Sequence, residues 1–171
     1  MDIAESIARK LDYFEKKHKR ASLVVCGGTS VIEIFNKLSK KDINWQNIII
    51  TLVDDRLVEF GHRDSNETLV QKNLLINNAS KATFVPLSLK TITVQKALMP
   101  FTTVLLSMGA DGHFASIFPE MLTEPNIANP EARPEAFITE SLGSPRHRRI
   151  TMNLAMILGS KSIFLILKGK E

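Results

Sequence analysis

Three short apolar runs constrain this chain most, because each leads directly into a polar or glycine-bearing cluster. Leu23-Val24-Val25-Cys26 runs into Gly27-Gly28-Thr29-Ser30, and Ile48 to Val53 runs into Asp54-Asp55-Arg56. Thr102 to Leu106 leads to a loop carrying Asp111, Gly112 and His113. β-Branched and aliphatic runs of this kind suit strands buried on both faces. Between them the apolar spacing changes to three and four residues. Ile3, Ile7, Leu11 and Phe14 predict a helix over residues 3–18, and Ile32, Ile34, Phe35 and Leu38 predict a second. Ser65-Asn66 can cap a third, which carries Leu69, Val70, Leu74 and Leu75. Strands joined by helical crossovers form a mostly parallel sheet with helices on both faces. Parallel strands place all three clusters at one edge, where ligands dock in open α/β sheets.

Thr83 to Leu87 is a weaker strand, with Pro86 confining it to an edge or an end. A proline-rich connection follows around residues 119–145, then a helix from about Asn153 to Leu158 and a last strand from Ser162 to Leu167. No internal repeat or low-complexity linker divides the 171 residues, and 44% hydrophobic composition suffices for one sizeable core. The expectation is a single domain.

Composition removes several classes of function. Cys26 is the only cysteine and lies in an apolar run, so one copy of the chain assembles neither a disulfide framework nor a cysteine-based zinc site. A reducing, cytoplasmic setting is the default expectation. No apolar stretch approaches the roughly 18 residues that a membrane span needs, and the first residues lack the pattern of a signal peptide. The net charge is +4, with basic clusters at Lys16-Lys17-His18-Lys19-Arg20 and Arg146-His147-Arg148-Arg149. The first closes a helix, where cations complement the dipole. The second has no stacking aromatics beside it and fits a phosphorylated metabolite better than a polynucleotide. The partner expected is therefore a small anion, with no nucleic acid and no membrane, and the chain itself a monomer or weak homo-oligomer.

The three clusters carry recognisable chemistry. Gly27-Gly28-Thr29-Ser30 can cradle an anion, since glycines let backbone N–H groups approach it and a following helix adds its positive end. It is neither a Walker loop nor a dinucleotide fingerprint, and a plain turn is the competing reading. Arg56 can hold Asp54 and Asp55 ionised or reach a ligand's oxygens, the alternative being a surface ion pair. His113 can take and return a proton near neutral pH, with Asp111 to orient it. A metal held by His113, Asp111 and Asp54 is a weaker alternative, because no recognised ligand spacing is present.

In their order and spacing these elements resemble the 6-phosphogluconolactonase family. The resemblance rests on Gly27 to Ser30, Asp54 to Arg56 with Ser65-Asn66, Met108 to Pro119, Arg149 to Thr151, and Leu167 to Glu171. Its most specific part is Asp-Gly-His-x-Ala-Ser-x-Phe-Pro, residues 111–119. It implies a Rossmann-like α/β fold shared with glucosamine-6-phosphate deaminases. The implied reaction is hydrolysis of 6-phosphoglucono-1,5-lactone to 6-phosphogluconate in the pentose phosphate pathway, without metal or organic cofactor. By the same resemblance His113 activates water beside Asp111 and Arg56, and Arg149 reaches the substrate phosphate. Gly27, Gly28, Thr29, Ser30, Asp54 and Asn66 complete the sugar-phosphate pocket.

The chain departs from the family pattern in three places. Val31 stands where a proline usually starts the helix, and Asp55 stands where glutamate is usual. Family members continue past this chain's last residue with a lysine-bearing element and further helices, so a C-terminally incomplete domain with exposed apolar surface is expected. Two rivals share the fold. A glucosamine-6-phosphate deaminase would carry glutamate at the position of Phe118, and a non-catalytic sugar-phosphate sensor would normally carry a helix-turn-helix segment.

Overall fold

A computed structural model describes residues 2–167, so Lys168 to Glu171, part of the terminal element noted above, lie outside the described residues. Helix α1 (Ile3–His18) begins at Asp2, whose carboxylate accepts from the Ala4 N–H at 2.9 Å, and ends at Lys19 in the left-handed region. Its Ile7 and Leu11 stripe is fully buried, and Lys16, Lys17 and His18 occupy the last turn. Strand β1 (Ala21–Val25) follows and is buried at every position, which requires cover on both faces. A 3-10 turn over Thr29–Val31 precedes the short helix α2 (Ile32–Leu38). Strand β2 (Ile48–Leu52) pairs with β1 in parallel, placing Leu23 beside Ile50.

Strand β3 (Asp54–Arg56), helix α3 (Asn66–Asn73), strand β4 (Thr83–Val85), helix α4 (Ile92–Ala97) and strand β5 (Thr103–Met108) come next. Strands β6 (Ala136–Ile138) and β7 (Arg149–Met152), helix α5 (Leu154–Leu158) and strand β8 (Ile163–Leu167) complete the described chain. The main sheet is wholly parallel in the order β4-β2-β1-β5-β8, flanked by helices. β1 lies at its centre, so the loops after β1, β2 and β5 are neighbours at the carboxyl edge. At the opposite edge the Ser22 and Thr102 hydroxyls each accept from the other residue's N–H, at 3.0 and 3.1 Å.

Three features depart from the sequence reading. Asp54-Asp55-Arg56 is not a loop at a strand end but β3 itself, in a second sheet ordered β3-β7-β6 and wholly antiparallel. Three consecutive polar residues have no alternation to announce a strand, and the partner that makes them one lies far along the chain. The proline-rich connection contains β6 and a 3-10 turn at Pro119–Met121. Helix α4 is built on Ile92, Thr93 and Val94, which are poor helix formers, and is held by tertiary contacts. Its buried Gln95 donates from Nε2 to Thr51 Oγ1 at 3.2 Å and to the Pro86 carbonyl at 3.0 Å.

The edges differ. β4 is three residues long and stops at Pro86, as an edge strand should. β8 alternates, and Ile163, Leu165 and Leu167 are 39, 46 and 65% exposed, an apolar face left open among the described residues. Central Leu23 touches solvent nowhere. Leu23→Ala is expected to lower unfolding free energy by about 2–5 kcal/mol, measurable as a shift in the denaturation midpoint with unchanged m-value.

Candidate active site

The three clusters meet at the carboxyl edge of the main sheet, and each is shaped by a close approach that the backbone must permit. After β1, the chain passes Gly27 directly over the side chain of Asn66, so any Cβ at residue 27 would sit inside the Asn66 amide. Gly28 and Ser30 are half-buried and Thr29 is exposed. All four residues of this turn line one cavity of about 310 Å3.

On β3, Asp54 and Asp55 are buried rather than exposed, which excludes a surface ion pair. The Arg56 side chain bonds neither carboxylate, only its backbone N–H donating to Asp55 Oδ1 at 2.7 Å. Its guanidinium donates to Asn66 Oδ1 at 2.5 Å and to the Asp64 carbonyl at 3.0 Å, while its Nε is buried without a partner. Asp55 serves helix α3 instead, accepting from the N–H groups of Asn66 at 2.6 Å and Glu67 at 3.0 Å and from the Ser65 hydroxyl at 3.1 Å. Ser65 caps that helix as expected, accepting from the Thr68 N–H at 3.2 Å. Asp54 accepts from the Ser116 hydroxyl at 2.5 Å and from Asn66 Nδ2 at 3.3 Å. Burial pushes the Asp54 carboxyl above its ordinary value, against the lowering effect of the Ser116 bond and the nearby Arg56 and Arg149 charges.

Beyond β5 the loop folds back tightly, with the Gly109 N–H donating to the His113 carbonyl at 2.9 Å. His113 Nδ1 and Asp111 Oδ1 are 2.5 Å apart. The His113 hydrogen bond holds the Asp111 carboxyl below its ordinary value. With Nδ1–H donated to Asp111, Nε2 retains the lone pair and is the basic nitrogen. Both side chains lie against Gly109, where an added Cβ would come within 2.5 Å of Asp111 Oδ1 and 2.6 Å of the His113 ring. His113 lines the cavity, and Asp111, 58% exposed in its side chain, supports it from outside.

Arg149 arrives from the small sheet. Antiparallel pairing of β3 with β7 sets Arg149 opposite Arg56, although the two are remote in sequence. Like charges directly opposite repel, and burial followed by the Arg56 charge pulls the Arg149 guanidinium down from its ordinary value. Arg149 is 2% exposed, donates to the Pro145 carbonyl at 3.2 Å, and leaves its Nε without a partner. Of the basic cluster at 146–149 it alone enters the cavity: Arg146 bonds the Ser141 carbonyl, and His147 bonds Asp64. Asp54, Arg56 and Asn66 also line this cavity, so nine of the ten candidate residues share it and Asp111 stands behind the ninth.

Ser116 and Phe118 were not singled out as site residues by the sequence reading. Ser116 lies between Asp54 and Arg149, and Phe118 stacks against His113. Their one signal was membership of the Asp-Gly-His-x-Ala-Ser-x-Phe-Pro element. Among the described residues no three His, Cys, Asp or Glu side chains are grouped to hold a metal ion. Cys26 is buried beside Ser107, and burial pushes its thiol up to about 12, so it is no nucleophile. A second cavity, of about 250 Å3, opens at the opposite edge near Ser22 and Thr102 and contains none of the candidate residues.

A parallel sheet whose carboxyl edge joins a carboxylate-held imidazole to two guanidinium groups and a glycine turn defines an α/β protein with a polar cleft at that edge. Comparison with known proteins specifies the family. The family model for glucosamine-6-phosphate isomerases/6-phosphogluconolactonase matches residues 1–171. The 6-phosphogluconolactonase of Neisseria meningitidis serogroup A is 36% identical, over 99% of this chain and 78% of its own length. That of Helicobacter pylori strain J99 is 35% identical, over 91% of this chain and 70% of its own. The crystal structure of a 6-phosphogluconolactonase from Shewanella baltica superposes with a TM-score of 0.84 at 36% identity, over 98% of this chain and 76% of that one. The chain belongs to the glucosamine-6-phosphate isomerase/6-phosphogluconolactonase family.

The raised Asp54 carboxyl has a consequence for stability. The folded state binds that proton more tightly than the unfolded chain, so its contribution is complete below the unfolded value of about 4 and is lost as pH rises through the folded value. Asp54→Asn removes the titration. Its melting temperature relative to the native chain is expected to climb as pH rises above about 4, followed by circular dichroism; a flat difference would contradict the assignment.

Proposed function

We propose that this chain hydrolyses 6-phosphoglucono-1,5-lactone to 6-phosphogluconate. The observation that carries this reading is the arrangement of an Asp111-held imidazole on the same cavity as two opposed guanidinium groups whose Nε atoms are unpartnered. Two cations forced together in a buried site are relieved by a ligand of double negative charge, which suits a phosphate monoester. Names borne by the similar proteins point the same way. Residues 1–171 are read as one lactonase domain acting on a small soluble sugar phosphate. No helix among the described residues is long and apolar enough to cross a membrane, in keeping with a cytoplasmic reaction.

In the proposed reaction Arg149 binds the phosphate and the Gly27 to Ser30 turn, with Asp54 and Asn66, shapes the sugar pocket. A water between His113 Nε2 and the lactone carbonyl gives its proton to Nε2 as its oxygen bonds the carbonyl carbon. Asp111 holds the Nδ1–H and stabilises the imidazolium. Arg56 balances the oxyanion that develops. The tetrahedral centre then expels the ring oxygen, which takes the proton from His113 and leaves as a hydroxyl, while the new carboxylic acid ionises. One water is consumed, and the imidazole is regenerated neutral.

Freshly generated lactone is the necessary substrate, because spontaneous opening competes. Acceleration above that background is expected, with no release of ammonia from glucosamine 6-phosphate. His113→Ala should lower kcat by a factor of roughly 100 or more with little change in affinity for 6-phosphogluconate. Arg149→Ala should act mainly on KM, raising it by about tenfold or more. Lactone opening at the uncatalysed rate by the native chain, or unchanged kcat in the His113 variant, would refute the proposal.

A further inference from the structure

The ring of Phe118 touches both groups that the proposed reaction must hold in register. It is 4% exposed and stacks on the His113 imidazole, with centroids 4.9 Å apart and planes inclined by 24°. The same ring lies 5.3 Å from the central carbon of the Arg149 guanidinium. Stacked rings and a cation on an aromatic face are both attractive contacts of fixed geometry. Each partner has few other restraints: Gly109 backs the His113 ring, and Gly143 backs the Arg149 guanidinium. A single bond from Nδ1 to Asp111 leaves the imidazole free to tilt about that bond. Arg149 has an unpartnered Nε, one bond from Nη2 to the Pro145 carbonyl at 3.2 Å and a long contact of 3.5 Å between Nη1 and the Ser116 hydroxyl. Phe118 has little room to move itself, since a Cβ at Gly143 would come within 2.9 Å of its Cζ and 2.7 Å of Arg149 Nη2.

We infer that Phe118 is a positioning residue whose ring sets the plane of the His113 imidazole and the seat of the Arg149 guanidinium, fixing the separation between the base and the anion-binding cation. The kinetic consequence rests on the lactonase reading above; the geometry does not. Phe118 is the one side chain that touches both groups, and the other contacts of each are few, so removing the aromatic face while keeping apolar bulk should loosen both.

The test has a spectroscopic arm and a kinetic arm. In the native chain the carbon-bound imidazole protons of His113, assigned by their loss in His113→Gln, should be displaced upfield by the ring current of Phe118. Phe118→Leu should return them toward random-coil positions, with Phe118→Met as the second variant if the first does not fold. In Phe118→Leu, kcat should fall by roughly tenfold and KM should rise severalfold. The kcat loss should vanish in a His113→Gln background and the KM rise in an Arg149→Lys background, whereas a merely structural loss would add in both. Undisplaced His113 signals in the native chain, native-like signals in Phe118→Leu, or full additivity in both double variants would overturn the role. A native chain with displaced signals but no lactone turnover would support the positioning role while sinking the lactonase reading.

Discussion

The buried carboxylate of Asp54 is the point through which the site is tied together. A carboxyl group withdrawn from water costs free energy unless neighbours replace the hydrogen bonds it loses. Here the replacements come from different parts of the chain: the Ser116 hydroxyl from the loop after β5, and the Asn66 amide from the start of α3. Asn66 in turn accepts from Arg56 and fills the space beneath Gly27. Meeting the needs of one carboxylate therefore brings the glycine turn, the third helix and the histidine loop into a single register. Its neighbour Asp55 does a separate task, taking the exposed N–H groups at the start of α3.

The two sheets divide the work. The parallel sheet sets where the loops end, because β1 lies between β2 and β5 and all three strands point the same way. It supplies the glycine turn and the imidazole. The small antiparallel sheet supplies the cations, by pairing Arg56 across from Arg149. Such a pairing is repulsive, and an anion between the two guanidinium groups would relieve it, as the proposed reaction requires. Phe118 spans the two contributions, since its ring meets the imidazole of one and the guanidinium of the other.

Much of this was legible in the residues. The strands at 23–26, 48–53 and 102–106 and the amphipathic first helix announced themselves by period and composition, and the structure places them within a residue or two of expectation. Asp111 and His113 were readable because a glycine-rich loop after a buried strand is a local arrangement. The role of Arg56 was not. Adjacent acids suggested ion pairing, yet the fold turns both carboxylates toward α3 and the Ser116 loop and gives the guanidinium to Asn66. Likewise nothing in Ile92-Thr93-Val94 speaks for a helix until Gln95 finds Thr51 and the Pro86 carbonyl.

By itself, the order of residues determined the parallel sheet, the edge at which its loops gather and the imidazole they present, because those follow from side-chain periodicity and from the chain's direction through each strand. Only the tertiary structure set Arg149 opposite Arg56 and decided which acids are satisfied elsewhere. Strand pairing between β3 and β7 and burial of Asp54 are long-range events, and no local pattern encodes a partner more than ninety residues away.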